Sequence, residues 1–393
     1  MGSEICISDE DPFGAAAVRN ARAVDDGLRE LAPAVKLSRE DITLVTRYQH
    51  VAMGLRDWKV FSSRSRPWHD AKSVRPELLL TDDPPKHTAV RAVIAAALSA
   101  TALASMAERF RADAEALVLR LKEKSGTPID VMSEIARAFV YKVLPDVLGI
   151  PLAGRENMYA FGNMVWATLG PVNELFHAAM KDTAPVIEWV EHCCNRDNLA
   201  PGSLGMQMFM AADRGEITAD EAKLLVGILL SAAADTTVMT LGNAIRAFGL
   251  FPEQYRLVRA DASLVRAAFE ESLRWDSPSR MAGRITMQDV EIEGVVIPKG
   301  ERCGLMFAAA NRDPRQWRQP DSFDVRRDNR GHLGWGLGIH ACVGRVLAGL
   351  EADALLGALA RHISAFEPAG DPEPWMSAIG HGPERLPMRL IAR

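Results

Sequence analysis

The chain has 393 residues, 48% of them hydrophobic, and a formal net charge of −5 from 46 Lys and Arg against 51 Asp and Glu. That near-balance argues against nucleic-acid or membrane binding through the bulk electrostatic field. Five cysteines without regular spacing exclude a disulfide framework.

In chain order, the first residues, MGSEICISDEDPFG, lack a cationic flank followed by an apolar run. They read as neither signal peptide nor anchor, and no run of eighteen or more apolar residues follows. The expectation is an unanchored cytoplasmic protein. Pro84 and Pro85 suit the first turn of a helix running through Arg91-Ala92-Val93-Ile94. Stretches 101–123, 132–149 and 154–190 also read as helices. His192 precedes the adjacent Cys193 and Cys194, but no second ligand pair stands at zinc-like spacing. Thr218-Ala219-Asp220-Glu221 is a capping box opening a helix to about Phe248, where Gly249 and Pro252 are expected to stop it. At 1.5 Å per residue that helix is roughly 45 Å long, enough to cross a domain. Val290-Glu291-Ile292-Glu293 alternates like a strand, and Pro298-Lys299-Gly300 reads as a turn before a strand from Cys303 to Phe307. No repeat or low-complexity linker divides the chain. The fold expected is mainly α, one domain over 1–393 with a small β-sheet region.

Cys6 and Cys303 read as ordinary thiols; Cys342 differs by its neighbours. In His332-Leu333-Gly334-Trp335-Gly336-Leu337-Gly338-Ile339-His340-Ala341-Cys342-Val343-Gly344, glycines let the backbone approach a large flat ligand. The stretch Val343 to Ala360 reads as a helix, so the sulfur falls at a helix N-terminus, where free amides and the macrodipole favour thiolate. The segment resembles the haem-binding signature of the cytochrome P450 family, with Trp335 where the family usually has Phe. That resemblance implies the family's fold, with haem b between the long central helix and the cysteine loop and Cys342 as iron ligand. The Trp335 indole is expected to shield the sulfur and to be able to donate its N–H toward it.

Further motifs extend the resemblance. Glu271-Ser272-Leu273-Arg274 matches Glu-x-x-Arg, and Phe323-Asp324-Val325-Arg326-Arg327 resembles the second arginine site. Glu271, Arg274 and Arg327 would then form a buried lock on the cysteine loop. His87 and Arg91, with Arg284 and His340, match the family's partners for the haem propionates. Ala232-Ala233-Ala234-Asp235-Thr236-Thr237 resembles the oxygen-activating stretch, in which Thr236 hydrogen-bonds the oxygen and Asp235 relays protons. The alternative for these hydroxyls is bonding back to their own helix.

Within the family, Gly170-Pro171-Val172-Asn173-Glu174-Leu175, Asn198-Leu199-Ala200-Pro201-Gly202 and Ala310-Asn311-Arg312-Asp313-Pro314 resemble soluble bacterial enzymes that oxidise para-substituted benzoates, often by O-demethylation. Those relatives grip the carboxylate with an Arg-Ser pair on the long helix, where this chain has Gly227-Ile228. Glu77 falls near their serine, with Arg75 beside it as partial compensation. A neutral or weakly polar aromatic substrate is therefore expected, in a pocket formed by Trp68, His69, Leu78, Trp166, Leu169, Ile228, Ala232, Ser279 and Met281, where Ala282 also replaces a relative's Phe. Arg280 is expected either to anchor a polar substituent or to face solvent. The resemblance implies a monomeric monooxygenase using O2, with electrons from a ferredoxin and ferredoxin reductase docking near Arg312, Arg315 and Arg345. Two alternatives are a peroxide-driven haem-thiolate enzyme and a non-catalytic ligand carrier, and neither accounts for Asp235 and Thr236 as well.

Overall fold

The computed structural model describes residues 4–64 and 78–393. Its principal helices are α1 (Ala21–Leu31), α2 (Tyr48–Arg56), α3 (Lys86–Ala97), α4 (Ala107–Lys122), α5 (Ala138–Leu148), α6 (Met158–Ala167), α7 (Ala184–Cys193), α8 (Leu204–Asp213), α9 (Ala219–Leu250), α10 (Leu264–Trp275) and α11 (Arg345–His362). Both halves of the expected capping box form at the start of α9. The Thr218 hydroxyl accepts from the Glu221 amide at 3.1 Å, and the Glu221 carboxylate accepts from the Thr218 amide at 2.9 Å. α9 is long and apolar enough to cross a membrane, yet most of it is buried against α5, α6, α8 and α10. It is a core helix.

Two boundaries differ from expectation. α9 runs through Gly249 to Leu250, and a Cβ at Gly249 would lie 2.3 Å from the Met388 methyl. That glycine therefore serves close packing, and the helix ends where Pro252 opens the next one. The stretch expected as one helix over 154–190 is instead α6, a short helix Glu174–Ala179, and α7. Pro171 has no amide to continue α6, and the Asn173 side chain accepts from the amides of Leu175 and Phe176, starting a new helix.

The strands are β1 (Cys6–Ser8), β2 (Ala34–Leu37), β3 (Ile42–Val45), β4 (Phe61–Ser62), β5 (Pro128–Asp130), β6 (Met281–Thr286), β7 (Val290–Ile292), β8 (Val295–Ile297), β9 (Arg302–Met306), β10 (Ile363–Pro368), β11 (Glu373–Pro374), β12 (Pro383–Arg385) and β13 (Pro387–Ala392). A six-stranded mixed sheet has the order β1-β2-β3-β9-β6-β4, and β10-β13-β5 form a three-stranded one. The alternating residues at Val290 pair with β8 in a hairpin of their own. The main apolar core draws on residues from Phe13 to Leu390, and a smaller cluster lies between the large sheet and α2. α9 crosses this core, and the cysteine loop approaches it from the side of α10 and α11.

Candidate functional site

The cysteine loop is held by backbone geometry first. Gly338 adopts a φ of +69°, and a Cβ there would fall 2.3 Å from the Leu55 carbonyl oxygen at the end of α2. Only glycine fits both demands. The Cys342 amide donates to the Trp335 carbonyl at 2.7 Å, which closes the loop on itself. Cys342 is exposed, with its sulfur near the start of α11. Burial by surrounding protein pushes its thiol above the ordinary range, while the amides of Gly344 and Arg345 and the charges of Arg345 and Arg91 pull it down. The expected preference for thiolate is thus outweighed by burial; a metal cation against the sulfur reverses that balance. Among the described residues no cluster of three or more His, Cys, Asp or Glu could hold a metal.

Trp335 corrects a second expectation. Its indole N–H donates to Glu270 at 2.6 Å and not to the sulfur. The neighbouring lock forms, but one step removed from the loop. Arg274 makes two bonds to Glu271, at 2.9 and 2.8 Å, and Arg327 adds one at 3.0 Å. Both guanidiniums also bond carbonyls between Asn311 and Ser322, so the triad fixes the segment leading into the loop. Asn311 then reaches the loop itself by accepting from the Leu333 amide at 2.6 Å.

Four cationic or donor groups converge beside the cysteine. The rings of His87 on α3 and His340 in the loop lie 4.6 Å apart. Nε2 of His340 is buried without a hydrogen bond, and the buried His87 ring faces the Ile339 backbone. Burial, then the charges of Arg284, His87 and Arg91, push His340 down to about 3. Burial likewise brings Arg284 down to about 10, opposed by the attraction of Asp83. Arg91 donates to the Ala341 carbonyl at 2.5 Å, and Arg284 to the Gly283 carbonyl at 2.7 Å. A buried unpaired ring nitrogen on His340, beside His87 and two guanidiniums, suits a dianionic ligand edge. The residues present therefore fit the two propionates of a haem.

On α9, Ala232 is exposed and Thr236 half-exposed in a helix that is otherwise mostly buried. The Thr236 hydroxyl donates to the Ala232 carbonyl at 2.7 Å, so it must rotate to donate elsewhere but can accept as it stands. Asp235 is fully buried, and its Oδ1 accepts from the Tyr141 hydroxyl on α5 at 2.9 Å. Its Oδ2 has no partner and lies 1.8 Å from where a Cβ on Gly162 of α6 would sit. Burial pushes the Asp235 carboxyl up to about 7, against the Tyr141 hydrogen bond and the Arg137 charge. Such a group exchanges protons near neutral pH. Sequence reading missed both Tyr141 and Gly162, since nothing in their own helices distinguishes them from packing residues.

Of the expected pocket residues, Leu78, Trp166 and Met281 are buried in the main core, and Leu169 and Ile228 lie at its half-buried edge. Ser279 is half-buried and bridges to Gly380 in the last hairpin. Trp166 meets Trp375 edge-on at 5.5 Å, a contact no sequence signal marked. Trp68, His69, Arg75 and Glu77 lie outside the described residues. Arg280 fits neither expectation: it is fully buried, bonded to Asp25 at 2.6 Å and to the carbonyls of Pro12 and Ala378. Of the expected docking arginines, Arg312 is corrected by its burial, whereas Arg315 and Arg345 are exposed. Arg312 is buried against Asp26 and Asp321, and Arg315 is tied to Glu30 and Asp313. Only Arg345 remains exposed without an acidic partner in contact, 5.5 Å from the Trp335 ring.

The cytochrome P450 family model matches residues 32–262 and 258–385. The chain is 39% identical over 385 residues to cytochrome P450 CYP199A2 of Rhodopseudomonas palustris, covering 97% of this chain and 93% of the relative. It is 30% identical to 6-deoxyerythronolide B hydroxylase of Saccharopolyspora erythraea, covering 92% and 94%. Among solved structures, cytochrome P450 CYP109Q5 from Chondromyces apiculatus is similar with a TM-score of 0.81 and 30% identity, covering 98% of both chains.

Proposed function

The chain belongs to the cytochrome P450 family of monooxygenases, and we propose that it oxidises a small neutral aromatic substrate by hydroxylation or oxidative O-demethylation. The hydroxylation balance is RH + O2 + 2e⁻ + 2H⁺ → ROH + H2O. Members of the family bind haem b through a cysteine thiolate, and the bound haem supplies the oxygen activation. Here Cys342 is the proposed ligand, with His87, Arg91, Arg284 and His340 as propionate partners. The carrying observation is that His87, Arg91, Arg284 and His340 gather beside the tight loop that presents Cys342, with Nε2 of His340 buried and unpaired. Asp235 is proposed to pass protons inward and Thr236 to position the oxygen and its water.

The substrate reading rests on what surrounds the reacting space. Leu78, Trp166, Leu169, Ile228, Ala232 and Met281 offer apolar surface, and Ser279 one hydroxyl. Arg280 is already satisfied by Asp25 and two carbonyls and so is not free to grip a carboxylate. Among the described wall residues none offers a free countercharge, which disfavours a benzoate anion. Electrons are proposed to come from a ferredoxin and its reductase, with Arg345 near the docking face. The protein is proposed to be cytoplasmic and a single domain, the latter because its main core spans Phe13 to Leu390.

The test is a reduced, CO-bound absorption spectrum followed by a binding screen and turnover on the same sample. A thiolate-type Soret band, spin-state shifts with neutral methoxyarenes, and faster turnover with a ferredoxin system than with hydrogen peroxide are expected. A histidine-type band would overturn Cys342 as ligand. A tight response to 4-methoxybenzoate alone would overturn the substrate class.

A further inference from the structure

Beside the Glu271 lock, its neighbour Glu270 makes a second and separate attachment. One carboxylate oxygen, Oε2, accepts from the Trp335 indole at 2.6 Å and contacts His332 Nε2 at 2.9 Å. His332 Nδ1 accepts from the Gly334 amide at 3.2 Å, which places the ring proton on Nε2, facing Glu270. Burial pushes the Glu270 carboxyl up, yet the bonds from His332 and Trp335 and the charge of Arg345 hold it below its ordinary value. It is a carboxylate with two donors on one oxygen. The indole it holds lies between Phe269, 6.1 Å away, and the Arg345 guanidinium at 5.5 Å. The backbone of that same Trp335 accepts the Cys342 amide at 2.7 Å.

We propose that Glu270 is a positioning residue for Cys342, acting as a latch through Trp335. Phenylalanine at 335 could fill the same space but could not engage Glu270, because only indole carries an N–H. Glu271 fixes the segment before the loop, whereas Glu270 fixes the residue whose carbonyl orients the cysteine. Charge-assisted hydrogen bonds of this kind are among the stronger ones, so releasing the latch loosens the sulfur without unfolding the protein. The inference rests on Cys342 being the haem ligand.

The test compares wild type with Glu270→Ala, Glu270→Gln, Trp335→Phe and the Glu270→Ala/Trp335→Phe double variant as haem-loaded proteins. The readouts are the rate at which the thiolate-type CO band is lost in mild urea, the far-ultraviolet melting curve and hydrogen exchange across 332–344. Glu270→Ala and Trp335→Phe are each expected to speed band loss by ~10-fold. The double variant should be no faster than the worse single one, and Glu270→Gln, which keeps an acceptor without charge, should fall between. Exchange across 332–344 should rise while the melting curve stays in place. Band-loss rates equal to wild type, additive effects in the double variant, or band loss that only follows a lowered melting curve would each overturn the latch. A wild-type protein without the thiolate band would overturn the ligand reading beneath it.

Discussion

At the residue scale, the partners of Asp235 decide when it gives up its proton. Burial raises it to about 7, and the Tyr141 hydroxyl is the larger of the two influences opposing that rise. Tyr141→Phe removes a donor that favours the ionised form, so the Asp235 pKa should move further up. The expected result is an upward shift of about one unit in the inflection of product yield against pH, with Asp235→Asn abolishing that inflection; single-turnover yields across pH 5.5–9 would check it. The cysteine loop, its glycines and the pair His87 and Arg91 that gathers beside it were legible in sequence because each occupies a fixed spacing inside a short motif. Tyr141 was not, because it lies 94 residues from Asp235 in a helix that reads as ordinary core. Trp335 was noticed as unusual but given the wrong partner, because Glu270 is 65 residues away and Cys342 only seven. Proximity in sequence misled there.

At the element scale, boundaries were legible where a side chain writes the signal locally. Thr218 and Glu221 announce the start of α9, and both bonds form. Thr218→Ala should lower stability by ~1 kcal/mol in urea denaturation while leaving the haem spectrum unchanged, because the cap lies roughly 25 Å along α9 from Asp235. Gly249 was misread because its reason is tertiary: the helix needs the missing Cβ to let Met388 approach. The break after α6 was written in Pro171 and Asn173, but the strong helical periodicity on both sides masked it. The order β1-β2-β3-β9-β6-β4 pairs Thr43 with Cys303, 260 residues apart, and no periodicity contains that information.

At the scale of the whole molecule, a few buried carboxyls set the response to pH. Asp235 is raised to about 7 and Glu351, on α11, to about 8, in both cases by burial. The folded state therefore keeps protons that the unfolded chain has already lost, and stability falls as pH rises from about 4 through 8. Asp276 works in the opposite sense. Burial alone would raise it, but Arg22, His381 and Arg246 hold it far below the usual range, so its contribution is lost as pH falls. Urea midpoints of the haem-loaded protein should decline from pH 6 to 9 by the equivalent of about 2–4 kcal/mol, and Asp235→Asn or Glu351→Gln should each flatten that slope.

Arg280 has a consequence of the same reach. Its guanidinium ties Pro12 and Asp25 near one terminus to Ala378 near the other, one residue before Met281 in the proposed substrate wall. The two ends of the chain thus behave as a drawstring on that wall. An engineer who trims or fuses the first dozen residues is editing substrate selectivity, and the change should surface in product profile before it surfaces in expression or haem content.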